Sequence, residues 1–154
     1  MLVKPTSLWD MSTEHDQLLH LGQTPSWLLS QARMRSHRIL TERLAAIAAR
    51  RYHLRVLSVL VEHGPLPQVA IGTLADLDRA DLSVSVDELE AEGTVIREQD
   101  PEDGRRKIVR ITDDGQARAR QLGLVLREVQ DELFAPLEAD EREAFIATLR
   151  KLQP

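Results

Sequence analysis

At 154 residues, with 42% hydrophobic and 29% charged side chains, the chain can bury one core and has the composition of a soluble globular protein. It has no cysteine, which excludes disulfides, thiolate metal sites and thiol redox chemistry, and no apolar run approaches the roughly 18 residues of a membrane span. The net charge of −5 argues mildly against a nucleic-acid binder, so any phosphate-binding surface has to be a local one.

Aromatic residues are only 3% of the chain, so the core must come from Leu, Val, Ile and Ala, and the abundance of Leu, Ala, Arg and Glu favours helices. Residues 1–24 show little periodicity and read as an N-terminal extension, within which Thr13 to Leu21 could form a short helix. The opening MLVKPTSLWDM lacks the apolar segment of a signal peptide, so a cytoplasmic protein is expected. Thr24-Pro25 introduces a helix from Ser26 to about Ile47, with Leu40, Leu44 and Ile47 on one face. A second helix, about Leu54 to His63, groups Leu54, Leu57 and Val61 and ends at Gly64-Pro65. Pro67 opens a third helix, where its missing N–H costs nothing, and Ile71, Leu74 and Ala75 should face inward. Gly72 costs that helix about 1 kcal/mol at an interior position. Asp78 is a good N-cap for a fourth helix, Arg79 to Glu92, whose buried stripe is Leu82, Val86 and Leu89 and which Gly93 ends.

The stretch from Leu89 to Gly115 is the most informative. The helix end at Gly93 is followed by a short strand, an acidic turn carrying Arg105, Arg106 and Lys107, and a second strand from Lys107 to Ile111. Thr112-Asp113-Asp114 then caps a long helix to about Phe134, Pro136 stops it, and a last helix from about Ala139 to Leu152 carries Phe145, Leu149 and Leu152. The expected fold class is therefore mainly α with a small β-hairpin wing: a winged helix–turn–helix. Charge supports this reading. Arg33, Arg35, Arg38, Arg43, Arg50, Arg51 and Arg55 stand against a single acid, Glu42, and the hairpin adds Arg97, Arg105, Arg106, Lys107 and Arg110.

With these elements in order, the segments VLVEHGPLPQVAIGTLADLDRADLSVSVDELEAEG and DPEDGRRKIVRITDDG resemble the MarR family of winged-helix transcription regulators. The wing pattern is carried by Asp103, Arg105, Val109, Ile111, Thr112 and Gly115, and the resemblance covers about residues 26–152. It implies a homodimer in which residues 25–48 and 113–154 form a helical dimerisation region and residues 49–112 the winged DNA-binding region. It also implies a double-stranded, pseudo-palindromic DNA operator as partner and a small, often anionic aromatic effector that releases a repressor.

Under the resemblance, Arg105 would enter the minor groove from the wing tip, with Asp103 orienting its guanidinium, and Arg106 and Lys107 would serve phosphates. A solvated hairpin tip is the alternative. On the fourth helix, Arg79 would reach guanine, Ser83 either base edge and Val84 a thymine methyl. Here the sequence departs from the family. Ala80 and Asp81 stand where hydroxyl residues are usual, Val84 where Arg is frequent, and Pro67 replaces a hydroxyl cap. Asp81, Asp87 and Glu88 would repel phosphates, and Asp81 either completes a capping box with Asp78 or accepts from cytosine N4. Arg50, Arg51 and Arg55 flank the second helix, where they either contact phosphates or are solvated.

Effector-lining candidates under the resemblance are His37, Arg38 and Tyr52, with a buttressing role for His37 and a core-edge role for Tyr52 as the alternative. Trp9 and Trp27 would pack the extension onto the dimer. The five histidines His15, His20, His37, His53 and His63 form no pair at helical ligand spacing, so neither metal nor other cofactor is expected. No nucleophile–base pair or phosphate-cradling Gly loop points to an enzyme. A ligand-sensing or protein-interaction module with weak or no DNA binding is the competing function.

Overall fold

The computed structural model describes residues 21–153, and the chain falls into two compact units, Met1–Met34 and Arg35–Pro154. In the first unit a 3₁₀ turn, Leu21–Gln23, leads into helix α1, Pro25–Ala45, and Trp27, Leu28, Leu29 and Met34 are exposed on it. Trp9 and all but the last residue of the expected helix over residues 13–21 lie outside the described residues; Leu21 belongs to the 3₁₀ turn.

The second unit holds the rest of α1, then α2 (Arg51–His63), β1 (Leu66–Pro67), α3 (Gln68–Ala75), α4 (Arg79–Ala91), β2 (Val95–Gln99), β3 (Lys107–Ile111), α5 (Asp113–Phe134) and α6 (Ala139–Lys151). Helix α2 begins three residues earlier than its apolar pattern indicated, because His53 takes an inward position with Val56, Leu57 and Leu60. That choice of face turns Val61, about 100° of helix rotation beyond Leu60, out to solvent rather than inward. Leu74 is likewise exposed, since the inward face of α3 is Ile71, Gly72 and Ala75. In α4 the stripe of Leu82, Val86 and Leu89 is buried as expected, joined by Ser85.

The sheet has three strands rather than the expected two, in the antiparallel order β1-β3-β2. Leu66 pairs with Val109 and Pro67 with Ile108, a position proline tolerates because β1 is an edge strand. Pro67 also serves as the N-cap residue of α3, so strand and helix share it. A Cβ at Gly72 would lie 3.1 Å from Leu82 Cδ2 and 3.3 Å from the Leu77 carbonyl, which supports the close crossing of α3 and α4.

The end of α4, the hairpin and the start of α5 meet at one junction. Gly93 turns the chain with φ +73°, a left-handed value that glycine adopts without steric cost. The Thr94 amide and hydroxyl both donate to the Leu89 carbonyl, at 2.9 Å each. The Thr112 amide donates to the Thr94 carbonyl (3.0 Å). The Thr112 hydroxyl donates to the Gly93 carbonyl (2.7 Å) and accepts the Gly115 amide (3.0 Å). A Cβ at Gly115 would stand 1.9 Å from the Thr94 carbonyl oxygen and 2.7 Å from Ile111 Cγ1. Only glycine fits there.

Beyond the junction, α5 buries Leu122, Val125 and Val129 but leaves Leu124 and Leu126 exposed. Helix α6 buries no residue: Phe145 meets Phe134 edge-on at 6.0 Å while remaining partly exposed, and Leu152 is open. Replacing Gly115 with alanine is expected to lower stability by about 1–3 kcal/mol or more, the usual cost of overpacking. A urea denaturation midpoint matching the parent protein's would show that the junction relaxes without cost.

Candidate nucleic-acid interface

Helix α4 is capped by Asp78, whose Oδ1 accepts the Asp81 amide at 2.8 Å. The return bond of a capping box does not form: the Asp81 carboxylate has no partner among the described residues, and the Asp81 carbonyl accepts the Ser85 hydroxyl at 2.7 Å. Opposite the buried stripe, Ala80, Val84, Asp87 and Ala91 share the outermost line of the helix, with Arg79 and Ser83 on one flank and Asp81 and Glu88 on the other. An open groove of about 990 Å³ runs beside Arg79 and Ser83, walled by Val69, Thr73 and Leu77.

Three of the four acids on the outer line and flanks of this helix, Asp87, Glu88 and Glu90, have cationic partners. Arg97, on β2, reaches back to α4: its guanidinium donates to Asp87 at 2.5 Å and to Glu90, and its backbone amide donates to Glu90 at 2.9 Å. These bonds from the Arg97 backbone and side chain hold the Glu90 carboxyl below the usual carboxylate range. Burial alone would lower the Arg97 pKa, but the two carboxylates outweigh it and hold it above its ordinary value. Glu88 accepts from Arg50 at 2.6 Å and pairs with Nε2 of the buried His53 at 2.8 Å. Among the acids on the outer line and flanks of α4, only Asp81 lacks a cationic partner among the described residues.

At the wing tip the Asp100 amide donates to the Arg106 carbonyl and the Arg106 amide to the Asp103 carbonyl, both at 2.9 Å. Asp103 does not bond the Arg105 guanidinium as expected. Its Oδ1 instead accepts the Arg105 backbone amide at 3.1 Å, because the tight turn brings that N–H to the carboxylate first. Arg105, Arg106 and Lys107 are exposed and have no acidic partner among the described residues, as is also true of Arg79. Arg110, by contrast, is taken up by Glu98 in two hydrogen bonds of 2.9 and 3.1 Å.

The cations around α2 divide by role. Arg55 donates to the carbonyls of Ala75 (3.1 Å) and Asp76 (2.8 Å), closing the end of α3. Arg51 donates to Nδ1 of His37 at 3.0 Å and lies 5.3 Å from the centre of the Tyr52 ring. Two effector candidates, His37 and Tyr52, thus gather around Arg51, while Arg38 is exposed without a partner among the described residues. Sequence reasoning missed the structural parts of His53 and Arg97. His53 was legible from its spacing to Val56, Leu57 and Leu60; Arg97 was legible from the Asp87–Glu90 pair just ahead of the hairpin. No group of three His, Cys, Asp or Glu among the described residues could hold a metal ion.

This fold and arrangement define a winged helix–turn–helix protein of the DNA-binding class. A model described as the MarR family matches residues 49–106. The chain is 30% identical to a MarR-family transcriptional regulator from Silicibacter pomeroyi of known structure, with a TM-score of 0.69 over 86% of this chain and 89% of that one. It is 29% identical to the PcaV transcriptional regulator of Streptomyces coelicolor, solved with its natural ligand, with a TM-score of 0.72 over 88% and 95% of the two chains. Among curated proteins it is 35% identical over 98 residues to a putative transcriptional regulatory protein for the hcr operon of Thauera aromatica, covering 63% of this chain and 58% of that protein. The matched stretch therefore spans just under three-fifths of that relative. The chain belongs to the MarR family, a family of winged-helix transcription regulators rather than enzymes. No helix among its described residues is long and apolar enough to cross a membrane.

The Glu90 contact carries a pH signature. A carboxyl held below its unfolded pKa adds stability that is fully present above about pH 4.3 and is lost as pH falls through its folded value. Glu90→Gln is expected to be less stable than the parent at pH 7, the gap closing below about pH 4. Thermal unfolding from pH 3 to 7 would test this, and a gap independent of pH would assign the loss to packing.

Proposed function

We propose that the protein is a homodimeric, sequence-specific DNA-binding repressor whose hold on a pseudo-palindromic operator is released by a small anionic aromatic ligand. The observation that carries this is the sorting of charge: Arg79, Arg105, Arg106 and Lys107 are free of acidic partners among the described residues, whereas Asp87, Glu88 and Glu90 on the recognition helix are engaged by Arg97, Arg50 and His53. That sorting favours DNA over the competing protein-interaction module, which would keep the helix acidic. In this reading Arg79, Ser83 and Val84 meet base edges, Arg105 the minor groove, and Arg106 and Lys107 phosphates, with Arg51 as a further cation near the backbone. Asp103 shapes the tip that presents Arg105. Arg55 acts by fixing the end of α3 rather than by touching DNA.

The exposed Leu124, Leu126, Phe145 and Leu152 of α5 and α6 supply apolar area for a partner protomer, as does the separate set Trp27, Leu28, Leu29 and Met34 on α1. These segments, residues 25–48 and 113–154, form the dimerisation region in this reading, and residues 49–112 the DNA-binding region. The cluster of His37, Arg51 and Tyr52, with Arg38 nearby in sequence, suits an anionic aromatic effector through cation and imidazole donors. The structurally similar PcaV regulator, 29% identical to this chain, was solved with its natural ligand, which supports an effector here.

The purified protein is to be tested on DNA from its own upstream intergenic region, at two salt concentrations, against an unrelated duplex. Selective binding that weakens steeply with salt is expected. Equal binding to both duplexes, or none at low salt in ligand-stripped protein, would overturn the reading. Arg105→Ala is expected to lower operator affinity by roughly 10- to 100-fold while sedimentation of the dimer is unchanged. Full affinity in that variant would remove the wing tip from the mechanism.

A further inference from the structure

On the outermost line of α4 the one hydrogen-bonding side chain is Asp87, and it is engaged through Oδ1 by Arg97. Ala80 and Ala91 end in a methyl, Val84 is 54% exposed with its two methyls outward, and Asp87 is bonded to Arg97. The polar candidates, Arg79 and Ser83, sit about 60–100° around the helix from that line, toward the groove beside α3. The centre of the reading surface is therefore apolar around Ala80 and Val84 and flanked by the free cation Arg79, while Asp87 and Glu90 share Arg97, Glu88 pairs with Arg50, and Asp81 stands on the far flank. Charge complementarity makes a DNA duplex its occupant, and within the major groove the one apolar group on a base edge is the C5-methyl of thymine.

We propose that Ala80 and Val84 are specificity-determining residues that read thymine methyl groups at the centre of each operator half-site. This deepens the DNA-binding reading above and rests on it. Two small side chains at positions 80 and 84 let the helix lie close to the groove floor, so their methyls can meet a thymine methyl in van der Waals contact. Each such contact removes apolar surface from water at the base and at the protein together. Arg79 and Ser83, off the central line, then read neighbouring pairs by hydrogen bonds. Asp87 makes no base contact: its bond to Arg97 fixes the wing to α4 and keeps its charge from the phosphates.

The test begins with selection of bound sequences from a pool of randomised duplexes by the full-length protein. In the enriched duplex each thymine is then replaced singly by deoxyuridine, which deletes the methyl and leaves base pairing and every groove hydrogen-bonding group in place. One or two positions per half-site are expected to lose about three- to ten-fold in affinity, about the value of one methyl contact. In Val84→Ala at least one of those positions is expected to become indifferent to deoxyuridine while the other bases keep their effects. Val84 is exposed, so this variant should fold normally, and an unchanged thermal midpoint checks it. An enriched operator insensitive to deoxyuridine throughout would overturn this inference and leave the regulator reading standing. Failure to enrich any sequence would overturn both.

Discussion

The carbonyl oxygen of Thr94 is the point on which the module's geometry turns. It accepts the Thr112 amide, which closes the base of the hairpin, and Gly115 lies against it more closely than any side chain could. One backbone atom thereby ties the strand leaving α4, the strand returning from the wing and the first turn of α5. The Thr112 hydroxyl makes the join two-sided, donating to Gly93 and accepting from Gly115. Thr94 itself is buried, so losing the Thr112 amide bond to its carbonyl would leave a buried polar group unsatisfied, whereas the Thr112 hydroxyl bond to Gly93 lies exposed. The wing's direction relative to α4 follows from this arrangement rather than from the wing strands alone.

In a chain with five net negative charges, which cations stand free is decided by where the acids are paired, not by excess of base. Arg97 serves Asp87 and Glu90, Arg50 and His53 serve Glu88, and Arg110 serves Glu98. Arg50 and Arg110 each offset one carboxylate, while Arg97 offsets one of the two it touches. Among the described residues the cations left without an acidic partner there are Arg79 and the run Arg105–Arg106–Lys107, while Asp81 on α4 and Asp100, Glu102 and Asp103 in the turn have no cationic one. Exposed pairs of this kind contribute little to stability, typically under about 1 kcal/mol each, so their larger effect is on the surface potential.

Much of this fold was legible in the sequence because its boundaries are marked by residues with one physical use. Asp78 and Thr112 cap helices with their side-chain oxygens, Gly93 takes a left-handed φ, and the periodicity of Leu82, Val86 and Leu89 has only one buried face to occupy. The failures came where tertiary partners decide. Val61 and Leu74 fit an apolar helical pattern, but His53 and Gly72 took the inward positions, one through its bond to Glu88 and the other through close approach to Leu82. Strand β1 is two residues long and contains a proline, so nothing in its own composition announces it; β3 recruits it. At the interface the residue types were legible, but not which cations would be free. That depends on the fold bringing Arg97 to Asp87 and Arg50 to Glu88.

Helix α5 leaves the Thr94–Gly115 junction without a flexible joint and continues for 22 residues, a rod of about 33 Å. A rod rooted that firmly behaves as a lever. In a dimer whose far helices hold two such rods together, a tilt of roughly 5° at one end moves the other by about 3 Å, as much as the length of a hydrogen bond. Wing and recognition helix, held together by Arg97, would travel with it as one piece. In the proposed dimer, the tilt of these rods would set the distance between the two DNA-reading modules.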